Sequence, residues 1–395
     1  MWHVEDVAPT RAVPRAGAPS PLVSRPTAVE AVPVLQADGT TGTVGNVLDD
    51  TFTDAFAVVQ DGALVSERYA SAGGPATPHA VLSVSKSLVG CVAGVLLDRG
   101  VLVEETSVAE VLPELAGSGY ATATVRHLLD MRSGVGFRED YDDPTSDIRR
   151  LDYWLADDRG LHGFLATLDQ ERPHGGPFHY RSSETDVLGW ICERASGATM
   201  DALIGELLWE PMGAEHDALI MTDRRGDVVH DGGFAVTARD LLRFGQLLLA
   251  GGVVVDLAGA FTRGVLPARW MRQAWAVDAD LRGAFAASPA EHAFPGGWYR
   301  NQCWFRVGSF GDVLLCLGIH GQLVYVGRRT RTVCVKLSSW PTAQHPPSLV
   351  NTLRACDALS GVLTGQDATE DVHRLSGVVS GLSRNGVRRS GPHVV

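Results

Sequence analysis

The stretch "HAVLSVSKSLVGCVAGVLLDRG", residues 79–100, contains one of only two lysines among the 34 basic residues of a 395-residue chain. Arginine keeps its proton at any pH a protein meets, whereas burial and neighbours can push a lysine to give its proton up. A lysine kept inside an apolar run therefore points to chemistry. From Ser83 to Arg99 apolar residues fall on every face, Gly90 and Gly94 permit close approach of neighbours, and Gly100 stands where the helix should end. This pattern predicts a helix buried in the middle of a domain. Ser83 and Lys86 are three apart and share one helical face. At the helix start the serine N–H lacks an intrahelical partner and lies at the positive end of the macrodipole, a position suited to receiving a negative oxygen.

Upstream, "AFAVVQDGALVSERYA" (55–70) reads as two strands joined by a tight turn at Asp61-Gly62. Downstream, "TVRHLLDMRSG" and "SSETDVLGWICERASG" are helical patterns separated by Gly-, Pro- and Asp-containing loops. "TARDLLRFGQLLLAGG" (237–252) predicts a further helix capped by Thr237 and stopped at Gly251. "NQCWFRVG", "DVLLCLGIHGQLVYVG" and "TRTVCVKLSSW" read as three strands, followed by a helix from about 347 to 363. Strands near both ends enclosing a helical middle imply an α/β (α+β) fold: an antiparallel sheet flanked by helices, with an inserted, mostly helical domain. The expected division is an N-terminal arm over 1–50, an α/β domain from 51–104 and 233–365, a helical domain over 105–232 and a C-terminal tail over 366–395.

The net charge of −12 leaves no basic surface for nucleic acid. The longest apolar run, Leu88–Leu97, is too short to span a bilayer, and the N-terminus lacks the basic start and apolar stretch of a secretion signal. A cytoplasmic protein without a membrane partner is expected. Cys91, Cys192, Cys303, Cys316, Cys334 and Cys356 are scattered in apolar segments without C-x-x-C spacing and read as buried thiols. The sequence shows no G-x-S-x-G elbow, no H-E-x-x-H and no phosphate-cradling Gly-Lys loop. His174 and His179 in "HGGPFH" face each other across a Gly-Pro loop without a third ligand in view, and read as loop polarity.

"SVSK", "FHYRSSETDVLGW" and "GIHGQLVYV" occur in the order and at about the distances of the S-x-x-K, tyrosine and third-strand motifs of the serine β-lactamase and penicillin-binding superfamily, which the chain resembles over roughly residues 52–360. Through "TDAFAVV", "LSVSKSL", "EDYDDP", "TDVLGWI", "TARDL", "GIHGQ" and "VKLSSWP" it is more similar still to the 6-aminohexanoate-dimer hydrolases, the nylon-oligomer amidases of that superfamily. The resemblance implies a β-lactamase/transpeptidase-like fold, with Ser83 as acylated nucleophile, Lys86 as its partner and Tyr180 as proton shuttle to the leaving amine. Tyr180 stands just before a helix marked by Ser182 and Ser183, where the dipole and a cationic Lys86 favour a phenolate. By the same resemblance the Ile319 N–H is the second oxyanion donor after that of Ser83, beside His320 and Gly321; Gly321 lets substrate approach the strand. Tyr141 closes over the substrate, Asp152 is an acid of the pocket and Trp304 one of its walls.

Two departures stand out. "IHG" replaces the K-T-G of the β-lactamases, which removes the lysine that holds a β-lactam carboxylate, and "RS" follows Tyr180 where they carry x-Asn. In "VVHDGG" Asp231 occupies a position held in the amidases by an amide or imidazole. Asp152 and Asp231 together favour a substrate bearing an ammonium group. The expected activity is hydrolysis of small linear amides and short-chain esters through an acyl-enzyme, with no metal or organic cofactor implied. The alternatives are a carboxylesterase with little amidase activity, a β-lactamase-like enzyme, and a sensing protein that kept the fold without turnover. The only partner implied besides a small-molecule substrate is a second copy, in a homodimer.

Overall fold

In the computed structural model, which describes residues 1–71, 73–255 and 262–365, the Asp61-Gly62 pair makes the tight turn its sequence predicts. Both residues have positive φ (49° and 79°), the conformation whose twist matches that of the flanking strands. Strand β1 (Thr53–Gln60) thus returns as β2 (Ala63–Tyr69). Helix α1 (Ser85–Asp98) follows a single 3-10 turn, Leu82–Val84, so Ser83 sits in the entry turn and not in the α-helix itself. Every residue from Ser85 to Leu96 is buried. Its glycines are there for contact: a Cβ on Gly90 would come within 2.9 Å of the Asn301 carbonyl, and one on Gly94 within 2.5 Å of the Trp270 ring.

The middle of the chain includes helices α2 (Asp147–Leu155) and α3 (Ser182–Ser196), the latter packed against α1. Helix α4 (Ala238–Leu249) is capped by the Thr237 hydroxyl, which accepts from the Asp240 N–H, and it lies on the main sheet. The C-terminal strands are β3 (Cys303–Gly308), β4 (Gly311–Gly318), β5 (Gln322–Gly327) and β6 (Thr332–Ser338), and helix α5 (Pro346–Thr364) follows. Residues 312–327, expected as one strand, are two. The chain reverses at Ile319–Gly321, where His320 (φ 59°) and Gly321 (φ 90°) are left-handed, and Gly318 pairs with Gln322 across the turn. Continuous apolar character on both sides of the turn hid it from a periodicity reading.

The main sheet runs Trp298–Arg300, β3, β4, β5, β6, β1, β2 and Val23–Ser24; all neighbours are antiparallel except the last pair. Alternate residues face opposite sides. Ala57, Val59, Val324 and Val335 join the core around α1 and α4, while Phe56, Val58, Leu323 and Cys334 join a second core against α5. Residues 1–50, expected as an extended arm lying on the body or partly disordered, pair with it through short strands and a helix. Thr10–Val13 pairs with Ala218–Met221 in a four-stranded sheet, Val23–Ser24 edges the main one, and Val44–Asp50 is a helix capped by Thr43 and Asn46. All six cysteines are buried and free. No helix among the described residues is long and apolar enough to cross a membrane. The expected tail, 366–395, lies outside the described residues.

Candidate active site

The entry turn of α1 presents Ser83 to a cleft, and one helical turn on, the Lys86 Nζ donates to Ser83 Oγ at 2.8 Å. The same ammonium donates to the Asp231 carbonyl at 2.8 Å and lies 3.5 Å from Asp231 Oδ2. Burial pulls the Lys86 pKa down, but Tyr180, Asp231, Glu139 and Asp186 together outweigh it and hold the group above its ordinary value. The surroundings therefore favour the charged form of this lysine. What the position requires is a compact ammonium, a point donor that a planar guanidinium does not reproduce.

Tyr180 reaches the same point from the other side. Arg181, in extended conformation, turns the chain into α3, which leaves the Tyr180 ring stacked on Trp304 (5.1 Å between centroids, 27°) with Lys86 Nζ 5.3 Å from its centroid. Burial pushes the phenol up to about 12, against the opposing pull of the Lys86 charge. The phenol is thus the resting form at neutral pH, and the expected phenolate is a minority species. The cation does act as anticipated, but desolvation of the anion is larger.

Sequence reading missed two carboxylates. Glu139 accepts from the Tyr141 hydroxyl (2.6 Å), the Ser182 hydroxyl (2.9 Å) and the Ser182 N–H (2.8 Å), and so ties Tyr141 to the first turn of α3. Burial raises its carboxyl, with the nearby Lys86 acting the other way. The signal was available: an acid beside "YDDP" is what the N-terminus of a helix elsewhere in the chain attracts. Asp186, fully buried on α3, accepts from the N–H groups of His230 (3.0 Å) and Asp231 (3.1 Å), which fixes the loop that meets Lys86. Burial and the adjacent Asp231 raise its carboxyl.

Ser83, Glu139, Tyr141, Tyr180, Trp304, Ile319 and Gly321 line one cleft of about 370 Å³. Other expected residues lie elsewhere. His320 turns its Nδ1 to the Trp340 carbonyl (2.7 Å) and is not among the lining residues. Asp231 serves Lys86 and is 8% exposed. Asp152, an exposed residue of α2, pairs with Arg149 at 2.8 Å and does not line the cleft. Burial raises the Asp152 carboxyl, Arg149 opposes it and the nearby Asp231 charge adds to it, so the two acids lie near one another although neither lines the cleft. Gly321 has a tighter reason than substrate approach, since a Cβ would lie 2.3 Å from the Trp340 ring.

A serine with a lysine on the next helical turn, a tyrosine closing over both and a strand turn opposite is the arrangement of the serine β-lactamase superfamily. The Beta-lactamase family model matches residues 46–357. The chain is 36% identical over 340 residues to the 6-aminohexanoate-dimer hydrolase of Paenarthrobacter ureafaciens, covering 82% of this chain and 83% of that one. Among solved structures it is similar to a Bacillus anthracis protein provisionally assigned as a 6-aminohexanoate-dimer hydrolase, with a TM-score of 0.80, 25% identity, and 92% and 94% of the two chains covered. It shares its fold with a family VIII carboxylesterase at a TM-score of 0.56 and 17% identity, covering 80% of this chain and 95% of that one. With its motifs, its fold and its relatives in agreement, the chain belongs to the β-lactamase family and is a serine hydrolase.

Proposed function

We propose that the protein hydrolyses small linear amides, and short-chain esters as well, through an acyl-enzyme on Ser83. The carbonyl oxygen of the substrate is received by the N–H groups of Ser83 and Ile319, and Ser83 Oγ attacks the carbonyl carbon. The Ser83 proton passes to the Tyr180 oxygen in its ionised form, which the Lys86 ammonium stabilises, and Tyr180 then gives it to the departing amine or alkoxide. Water, losing its proton by the same route, releases the acid and restores Ser83. The observation that carries this reading is the Lys86 ammonium bonded at 2.8 Å to Ser83 Oγ beneath Tyr180.

With the phenol at about 12, its ionised form is the minority that takes the Ser83 proton, and the phenol so formed is the donor to a leaving amine, a step an ester needs less. Because the ionised form grows as pH rises toward that value, kcat/KM should climb through the neutral range into alkali. Ser83→Ala should abolish hydrolysis of amides and esters alike while the fold is kept, and a fluorophosphonate should label the parent at Ser83. Activity of the variant within about tenfold of the parent would place the nucleophile elsewhere. A matched amide and ester separate the amidase from an esterase on the same scaffold: an amide turned over only at background rate would leave the carboxylesterase reading.

A further inference from the structure

Directly after Tyr180 the chain buries a charge that the acyl-transfer steps do not use. Arg181 is 1% exposed, and Glu184, in the first turn of α3, is 0% exposed. The Arg181 Nη1 donates to Glu184 Oε1 at 3.0 Å and to the His179 carbonyl at 3.1 Å. Glu184 Oε1 also accepts from the Ser133 hydroxyl at 2.7 Å. The His179 carbonyl belongs to the peptide group that leads into Tyr180. The peptide group that leaves it is held by the Arg181 N–H on Met131 Sδ, at 3.2 Å. Sulfur is a weak acceptor, so the guanidinium is the stronger of the two holds.

A buried pair of this kind adds little to stability, because desolvation of both charges offsets their attraction, and apolar residues in the same space are often as stable or more so. Here the cost is raised further: Arg181 Nε and Glu184 Oε2 are buried with no hydrogen-bond partner among the described residues. Burial pushes the Glu184 carboxyl up to about 7, with Arg181 and then Ser133 pulling the other way. What the pair supplies is direction. Nη1 bridges a carboxylate on α3 and the carbonyl of the peptide plane that enters Tyr180, and so fixes how that plane is rotated. The hydroxyl is the part of Tyr180 farthest from the backbone, and a small rotation of the plane displaces it most.

Resting on the hydrolase reading, in which Tyr180 moves the proton, we propose that Arg181 and Glu184 are positioning residues for Tyr180: their buried bridge sets the backbone before the tyrosine so that its oxygen meets Ser83 and the leaving group. Neither of them lines the cleft. Amide hydrolysis depends on them more than ester hydrolysis does, because a leaving amine needs the proton that Tyr180 delivers.

The test is the double variant Arg181→Met with Glu184→Leu, in which apolar groups occupy the space and Ser133 keeps the Val135 N–H as a partner at 3.2 Å. Its urea-unfolding midpoint should equal the parent's or exceed it. Fluorophosphonate labelling counts the competent sites, and kcat per labelled site is then measured for the p-nitroanilide and the p-nitrophenyl ester of butyric acid. It should fall about threefold or more for the ester and about tenfold further for the anilide, with KM little changed. A folded variant within about twofold of the parent for every compound the parent turns over overturns the proposal, as does an equal loss on anilide and ester. A lowered midpoint with unchanged kcat per site also overturns it, since the pair would then be structural only. If the double variant does not fold, Arg181→Leu alone gives the same comparison, because burial without the guanidinium leaves Glu184 protonated and uncharged. The parent keeps the two readings distinct. A parent that neither labels nor turns over any compound removes the hydrolase reading, whereas an active parent matched by its variant removes the positioning role alone.

Discussion

Lys86 and Lys336 are both sealed from solvent, at 1% and 0% exposure, and they are held in opposite ways. Around Lys86 the loop of Asp231, the Glu139 carboxylate and Asp186 supply negative charge, and its proton is retained. Lys336, on β6, meets only the Thr51 carbonyl (3.1 Å), the Ser338 hydroxyl and the face of Trp340, 5.7 Å from its centroid. Burial there is opposed only by Cys356 and Asp54, and the group falls to about 7 from 10.5. The two sites share depth and differ in neighbours. Burial favours the neutral lysine, and the anionic groups nearby, at Lys86 Tyr180 first and then the carboxylates, favour the cation. On the proposed mechanism, the part of the lysine beside Ser83 is to hold the Ser83 oxygen and favour the ionised form of Tyr180.

The sharpest way to break this contrast is Lys86→Met. Removing the ammonium strips Ser83 and Tyr180 of their cation and leaves Asp231 and Asp186 uncompensated. Ester kcat should drop about a thousandfold, and the alkaline climb in kcat/KM should move to higher pH because the phenolate loses its stabiliser. A variant within tenfold of the parent would mean that the charge at this depth is structural only.

Lys336→Met probes the opposite case through stability. With a folded value near 7 and an unfolded value near 10.5, the unfolded chain binds more protons between those pH values, so the parent grows more stable as pH rises through that window. The gain is at most about 1.4 kcal/mol per pH unit. The variant lacks this climb, so its stability relative to the parent should be highest below pH 7 and should fall as pH approaches 10; urea unfolding at both ends measures it. An equal difference at both ends would show that Lys336 stays charged, like Lys86.

The smallest effect is expected at Asp152. Exposed and paired only with Arg149, it should tolerate Asn with a stability change under about 0.5 kcal/mol and amide kcat/KM within about twofold. A tenfold loss confined to amino-terminated amides would restore it to the cleft.

The nucleophile helix and the hairpin were legible because their signals are local: glycine spacing on α1, and Asp-Gly between two apolar runs. The serine, lysine and tyrosine were legible as residues, since each lies at a helix start that the sequence marks. Their protonation was not. It depends on Glu139 and Asp186, which approach from other elements and leave no trace in the spacing around Ser83. The turn at Ile319–Gly321 escaped because apolar character continues on both sides of it; the Trp340 ring, which leaves no room for a Cβ at Gly321, belongs to a segment that periodicity treats separately. The Arg149 partner of Asp152 was not legible as such, because an acid on an amphipathic helix looks the same whether it meets a ligand or an arginine three residues away.

The pairing of β6 with β1, Thr332 opposite Gln60 and Lys336 opposite Phe56, carries a consequence for how the chain is made. This seam, inside the sheet, joins strands separated by most of the sequence, and pairings so far apart close slowly. While the chain is being synthesised, β1 and β2 emerge as a hairpin with one apolar edge open, and they wait for residues 332–338 before that edge is covered. Over that interval the same edge can be met by another nascent copy. Yield of the folded enzyme should then depend more on temperature and on chaperones during synthesis than the stability of the finished sheet suggests, and a rearranged gene that places 298–365 ahead of 53–69 would shorten the wait.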